Sequence, residues 1–150
     1  MTKLFKRRIL LIVVVIAVIG ILSAVAIPTY SQQLPKYRLN GAARQVMADL
    51  FVARRCAISQ QHNVRVLFDA ASAYTLWTDS NDNGEIDSGE ATTQALQAYG
   101  VSLTANNNPT FYPNGVVTNL PTIVLRHISH PTQKCIRLSI TGRIKISECQ

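Results

Sequence analysis

A run of 19 residues without a charge, from 9 to 27, most constrains how this chain can fold. Only Gly20 and Ser23 in it are not aliphatic. As a helix it would reach about 28 Å, close to one bilayer hydrocarbon core. A cleaved secretory signal would have a shorter apolar core. A helix buried on every side would need more surrounding protein than 150 residues supply. We therefore predict a membrane-spanning helix over residues 9–28, with Ile9, Gly20 and Pro28 in the anchor.

Four basic residues precede this run: Lys3, Lys6, Arg7 and Arg8. The positive-inside rule therefore predicts that residues 1–8 form a basic cytoplasmic leader and that the chain beyond Pro28 lies outside the cytoplasm. The net charge of the whole chain is +7, but residues 29–150 carry 11 basic and 8 acidic groups, a net +3. That mild charge permits nucleic acid or anionic lipid as a partner and requires neither.

A second helical segment is predicted over residues 29–60. Its apolar residues recur at steps of four and three, and Arg38, Arg44, Gln45 and Arg55 lie off that stripe. We expect Pro28 and Pro35 to kink the helix or to mark a short break. The stripe consists of Leu39, Ala43, Val46, Leu50, Ala53 and Ala57.

Short runs of β-branched and aromatic residues follow, and they predict a β-rich globular domain over residues 61–150. Turn residues separate the runs at 106–109 and 113–115. A long helix followed by an antiparallel sheet is an α+β fold. The predicted strands are 64–68, 74–78, 110–112, 122–126, 135–140 and 144–147.

Four short segments occur in an order that is typical of one protein family. Residues 18–28 read VIGILSAVAIP, similar to the distal half of the N-terminal helix of type IV pilin-like proteins. Residues 53–58 read ARRCAI, similar to the Ala-Arg-Ser-x-Ala-Ile stretch of the GspH/FimT group. DSNDNG at 79–84, and Gly142-Arg143 before a closing cysteine, are also similar. The chain therefore resembles the GspH/FimT group of minor pilins and pseudopilins over most of its length.

This resemblance implies a pilin-like fold, in which a long N-terminal helix, its first half transmembrane, packs on a small antiparallel β-sheet domain. It implies a structural subunit that initiates or caps a type IV pilus-like filament and contacts other pilins through that helix. A type II secretion pseudopilin and a membrane-anchored DNA receptor for natural transformation remain as alternatives. The implied location is the bacterial inner membrane, with the C-terminal domain periplasmic or on a pilus.

The chain departs from the family at the prepilin peptidase site. Members carry a Gly before a hydrophobic residue there, and a Glu at the fifth mature position. With Pro28 on the family proline, Lys6 replaces that Gly and Leu11 replaces that Glu. Because both residues are missing, we do not expect normal cleavage and N-methylation. If the leader stays attached, the N-terminal ammonium is not placed in the bilayer, which is consistent with the loss of the Glu. A mature chain beginning near Arg7 would contradict this expectation.

Two of the three cysteines should pair in an oxidising compartment, and we predict Cys135–Cys149. A hairpin loop at 141–143 would place Cys135 opposite Cys149, within disulfide reach. The same register turns Ile136, Leu138, Ile140, Ile144 and Ile146 toward the core. For Cys56, beside the apolar stripe, a buried thiol is expected, and an intermolecular bridge is the alternative.

The opposite face of this hairpin is basic and carries Arg137, Arg143 and Lys145. In the resembled FimT-type minor pilins, a Gly-Arg-x-Arg motif near the C-terminus is associated with DNA binding. Here residues 142–145 read GRIK, so lysine keeps the second charge but loses the bidentate fork. Three interpretations stay open: a solvated strand face, salt-sensitive contact with double-stranded DNA, and a pilin–pilin contact.

Residues 79–90 match the spacing of an EF-hand calcium loop, with Gly84 at the sharp turn. A strand precedes the loop where an EF-hand has a helix, so a polar hairpin tip with Asx turns is the alternative. Calcium binding would suit an adhesin-like module. The predicted oxygen donors are Asp79, Asn81, Asn83, the Glu85 carbonyl, Asp87 and Glu90.

No catalytic constellation is recognisable in the sequence. His127 and His130 lie three residues apart, and neither a carboxylate nor a cysteine nearby completes a zinc site. Phosphate-binding glycine loops and nucleophile elbows are also absent from the sequence. We predict that the chain is not an enzyme, takes no small-molecule substrate and requires no cofactor other than, on one interpretation, Ca²⁺.

Overall fold

The structure is a computed structural model that describes residues 2–81 and 83–149, together with all of their side chains except those of 2–4 and 25–29. The chain divides into two compact units, Met1–Leu34 and Pro35–Gln150. One α-helix, α1, is assigned to Thr2–Gln60. The helix includes Pro28 and Pro35.

In the first unit, the segment Phe5–Ala24 is long and apolar enough to cross a membrane, and 0% of it is buried. It overlaps the predicted span of residues 9–28, whose last side chains, 25–28, lie outside the described ones. The Ser23 hydroxyl donates to the Ile19 carbonyl at 2.8 Å. A hydroxyl that is hydrogen-bonded within its own helix can enter the hydrocarbon core without leaving an unpaired polar group there.

In the second unit, α1 buries the predicted apolar stripe. All six of its residues are buried, and Ala42 joins them. The helix ends where Gln61 adopts a φ of +60°, the left-handed conformation that commonly follows a helix. The Gln61 side-chain amide donates to the Ile58 carbonyl at 2.6 Å, which satisfies one of the carbonyls that a helix end leaves without a partner.

Nine strands form two antiparallel sheets in the described part of the chain. Sheet A has the order β3-β2-β1-β5-β6, and sheet B has the order β4-β7-β8-β9. Their bounds are β1 Asn63–Ala70, β2 Ala73–Asp79, β3 Ala91–Ala95, β4 Val101–Ala105, β5 Thr110–Phe111, β6 Val117–Thr118, β7 Thr122–His127, β8 Gln133–Leu138 and β9 Ile144–Ser147.

All six predicted strands are present, but β3, β4 and β6 were not predicted. β3 reads ATTQA and has no buried residue, so it lacks the apolar alternation that identifies a strand. β6 has two residues, too few for any pattern. β4 reads VSLTA with Val101 and Leu103 buried, an apolar alternation that is only three residues long. A short 3-10 helix, Gln97–Tyr99, precedes it.

One hydrophobic core joins the stripe of α1 to both sheets. Its largest fully buried side chains outside α1 come from β1, β2, β4, β5, β7 and β8 and from Leu96, which precedes the 3-10 helix. They are Val64, Val66, Tyr74, Leu96, Leu103, Phe111, Ile123, Leu125 and Ile136. This core fixes β8 and β9 with one face inward, so their other face is presented to solvent.

Candidate functional site

The β8–β9 hairpin pairs in a different register from the predicted one. Leu138 faces Ile144, and Cys135 faces Ser147 and not Cys149. The Ser139 N–H donates to the Arg143 carbonyl at 3.0 Å, so the loop is 140–142 and not 141–143. The predicted core position of Ile140 is therefore wrong, because this residue lies in the loop and is 62% exposed.

Gly142 determines this register. Its φ is +74°, and its N–H donates to the Ser139 carbonyl at 2.8 Å. A three-residue hairpin loop commonly ends with a left-handed residue that forms a bulge, and glycine adopts that conformation without steric cost. The Ser139 hydroxyl accepts from the Arg143 N–H at 3.1 Å and lies 2.9 Å from the Thr141 hydroxyl. Arg143 therefore follows a turn that several hydrogen bonds hold.

The predicted disulfide between Cys135 and Cys149 is present despite the register error. The Cα atoms lie 5.1 Å apart, within the normal range for a disulfide. Cys149 lies two residues beyond the partner of Cys135, so the bridge runs diagonally across the end of the ribbon. It fastens the C-terminal strand to β8 at the end opposite the Gly142 turn.

Three cations share the outer face of the ribbon, and we call Arg137, Arg143 and Lys145 the basic ridge. Arg137 and Lys145 are directly opposed, and all three residues are exposed. They line a shallow depression of about 220 Å³ with Leu138 and Ser139. The one ion pair among the described residues joins Lys134 and Glu148, so no described carboxylate pairs with a cation of the basic ridge. The structure thus brings the three predicted residues together, without an ion pair to any residue that it describes.

The acidic loop lies elsewhere, at the tip of the β2–β3 hairpin. Asp79 accepts from the Asn83 and Gly84 N–H groups at 3.1 and 3.0 Å. The Asn83 side-chain oxygen accepts from the Glu85 N–H at 2.7 Å, and the Asn81 oxygen from the Asn83 N–H at 3.1 Å. These are Asx turns, in which the side chain replaces a backbone acceptor.

Glu90 closes this loop. Its carboxylate accepts from the Ser80 N–H at 2.9 Å, the Asp87 N–H at 3.3 Å and the Trp77 indole N–H at 3.4 Å. The Ser80 hydrogen bond, followed by those of Asp87 and Trp77, holds the pKa of the Glu90 carboxyl below its ordinary value. The pKa is lowered although partial burial acts in the opposite direction.

The comparisons with known proteins identify the family. The chain matches the family of the Type II transport protein GspH over residues 42–142, about two thirds of its 150 residues. The chain belongs to the GspH family. The predicted assignment to the pilin-like GspH/FimT group is thereby confirmed. None of the curated proteins matches this chain significantly by sequence.

The solved structures of a minor pilin and a minor pseudopilin share the fold of this GspH-family chain. The type IV minor pilin FimU of Pseudomonas aeruginosa matches with a TM-score of 0.60 and 19% identity, over 75% of this chain and 90% of its own. The minor pseudopilin EpsH of the type 2 secretion system of Vibrio cholerae matches with a TM-score of 0.59 and 15% identity, over 74% and 97%. The predicted pilin-like α+β fold is confirmed.

The calcium prediction is not supported in this GspH-family protein. Among the described residues, which exclude Asp82, no three His, Cys, Asp or Glu side chains are grouped so that they could hold a metal ion. The Asn81 and Asn83 oxygens face backbone N–H groups, and their Nδ2 atoms donate to Asp87 at 2.8 and 2.9 Å. Amide donors around Asp87 would repel a cation, so this arrangement fits the alternative of a polar hairpin tip.

The remaining predicted residues form no site with the ridge or the loop. Cys56 is a half-buried free thiol that packs against the core. The rings of His127 and His130 lie 6.1 Å apart, and His127 Nδ1 accepts from the Ser129 N–H at 3.1 Å. Arg54 of α1, which was not among the predicted site residues, contacts the Gly142 turn. No spacing rule could have found it, because helix and turn are 88 residues apart (142 − 54).

Proposed function

We propose that this protein is a structural subunit that initiates or caps a pilus-like filament. Membership of the GspH family supports the proposal, together with the apolar segment Phe5–Ala24, in which no residue is buried within the described structure. An apolar helix of this length is stable in a bilayer or against other apolar helices. Such a subunit would sit in the inner membrane and later pack beside other pilin helices.

Deletion of the coding gene tests this role and separates the two machines. A pilus subunit should be required for surface filaments, counted by electron microscopy. A type II secretion pseudopilin should instead be required for release of exoproteins into the medium. Restoration by the intact gene is the control in both assays. Normal filaments and normal secretion in the deletion strain would refute the filament role.

A second candidate function is contact with double-stranded DNA through the basic ridge. The observation that favours it is the exposure of Arg137, Arg143 and Lys145 on one face, where none of them pairs with a described carboxylate. Phosphate contact needs charge and not a particular base, so the binding would be non-specific and would weaken with salt. The disulfide and the Gly142 turn hold the ribbon at both ends, which limits the entropy lost on binding.

Fluorescence anisotropy of duplex DNA with the full chain in neutral detergent tests the DNA contact. Arg143→Ala/Lys145→Ala should weaken binding about 10-fold at low salt and lower the slope of log K against log[salt] by about 2. The matched control is Arg38→Ala/Arg44→Ala, which removes the same charge from exposed positions of α1. Equal losses in both double variants would mean general charge attraction and refute a site at the basic ridge.

The other interpretations of the basic ridge predict different results. A solvated strand face predicts no DNA binding by the wild-type chain and normal filaments in the Arg143→Ala/Lys145→Ala strain. A pilin–pilin contact predicts no DNA binding but a loss of filaments or secretion in that strain. Binding by the wild type that the ridge substitutions reduce would favour a DNA receptor.

A further inference from the structure

Arg54 of α1 packs directly behind the turn that carries Arg143. A Cβ built on Gly142 would lie 2.5 Å from Arg54 Nε, 2.7 Å from Cζ and 2.9 Å from Cδ. These separations are shorter than real side-chain contacts, so a side chain at this position would force the flexible end of Arg54 to move, while the positive φ itself favours glycine. The guanidinium of Arg54 therefore lies against the backbone of the turn.

The same guanidinium also contacts a second turn. A Cβ on Gly115 would lie 3.5 Å from Arg54 Nη2 and 3.9 Å from Nε. The Val117 N–H donates to the Ile140 carbonyl at 3.0 Å, which joins the two turns to each other. Arg54 thus lies where the edge of sheet A meets the loop of the β8–β9 ribbon.

The charge of Arg54 has no partner within the described chain. Its Nε is buried without a hydrogen-bond acceptor, and the single ion pair there is Lys134–Glu148. Burying a donor or a charge without a partner lowers stability, and an apolar side chain of similar length would avoid that cost. Packing alone therefore does not explain an arginine at this position.

We propose that Arg54 is a further cation of the DNA-contacting surface, contributed by α1 from behind the Gly142 turn. This inference rests on the proposed DNA contact. A partly buried charge is screened by salt less than an exposed one, so its potential would add to that of Arg143, the residue that follows Gly142. Bound phosphate would compensate the charge that the protein itself leaves unpaired.

The test compares Arg54→Met with Arg54→Lys in the full chain in neutral detergent, with duplex DNA as the probe. Arg54→Met should weaken DNA binding by about 3- to 10-fold and lower the salt slope by about 1. It should leave the Tm unchanged or raise it, because it removes an uncompensated charge. Arg54→Lys keeps the charge and should bind within about two-fold of the wild type. The matched control is Arg55→Met, which removes an exposed charge from the next position of the same helix and should change binding less than Arg54→Met.

Several results would overturn the inference. Unchanged DNA binding by Arg54→Met, in a chain whose binding Arg143→Ala/Lys145→Ala reduces, would refute the role of Arg54 and leave the basic ridge intact. A lower Tm with weaker binding that lysine does not restore would make Arg54 a packing residue. Absence of DNA binding by the wild type would refute the proposed contact itself, and the role of Arg54 with it.

Discussion

At the scale of single residues, Tyr74 makes a buried polar contact between a strand and the helix. Its side chain is 2% exposed, and its hydroxyl donates to Asp49 Oδ2 on α1. Burial, and next the hydrogen bond to Asp49, raise the pKa of the Tyr74 hydroxyl well above its ordinary value. Because the folded state holds this proton more tightly, the bond contributes its full stability below pH ~10 and loses it as the pH rises further.

We therefore expect Tyr74→Phe to lower the free energy of unfolding by about 1–3 kcal/mol at pH 7, since it leaves Asp49 without its donor. The loss should be measured by urea unfolding at pH 7 and above pH 10, where the difference between variant and wild type should shrink. Tyr37→Phe, at a position 72% exposed, is the control and should unfold like the wild type. Equal stability of the Tyr74 variant at pH 7 would contradict the contact.

Glu90 gives the second prediction at this scale. A group whose pKa is lowered in the folded state stabilises it above its unfolded pKa, near 4.5, and loses that effect as the pH falls through the folded value. The amide signal of Ser80 should therefore titrate with a midpoint below 4.5. In Glu90→Gln this titration should vanish. In Glu85→Gln, which changes an exposed neighbouring carboxyl, it should persist. A midpoint at or above 4.5 would exclude the hydrogen bonds to Glu90.

At the scale of elements, the disulfide gives the β8–β9 ribbon its own source of stability. It closes a loop with a sequence separation of 14 residues, for which the chain-entropy model gives about 3 kcal/mol. Cys135→Ser/Cys149→Ser should lose about that amount in urea unfolding and show faster amide exchange in β9. Cys56→Ser, which leaves the bridge intact, is the control and should keep the wild-type exchange in β9. A double variant as stable as the wild type would show that strand pairing holds the ribbon together without the disulfide.

The elements also show how far sequence reasoning extends. The stripe of α1 and its end at Gln60 were predictable, because helical periodicity persists over many residues. The hairpin register was predicted wrongly because Gly142 was placed in the middle of the loop. A glycine with positive φ belongs at the third position of such a loop, which gives the observed pairing of Leu138 with Ile144. The signal was present, and turn chemistry was the rule that should have decided it.

At the scale of the whole molecule, the candidate sites differ in how far apart in the sequence their residues lie. The basic ridge was predictable because two adjacent strands supply it and period-two alternation sorts their faces. The calcium pattern is not supported by the structure, because spacing fixes the order of oxygen donors but not the direction in which they point. The Arg54 contact was beyond sequence reasoning, since it depends on how α1 packs against two turns of the sheets. Predictability thus falls as the contacts that form a site become less local.

The segment Phe5–Ala24 carries the last prediction, which concerns how the whole chain sits in the membrane. An arginine at the centre of a membrane span costs about 3 kcal/mol relative to valine, so Val14→Arg should reduce membrane insertion strongly. Gln32→Arg makes the same kind of change outside that segment and should insert normally.

Lys6, Arg7 and Arg8 should keep the N-terminus in the cytoplasm, so a C-terminal reporter that works only outside the cytoplasm should be active. Changing these three residues to glutamate should lower that activity because the bias that orients the helix is lost. Insertion of Val14→Arg at the wild-type level would show that the apolar segment is not the anchor. An inactive reporter on the wild-type chain would show that the orientation is opposite to the predicted one.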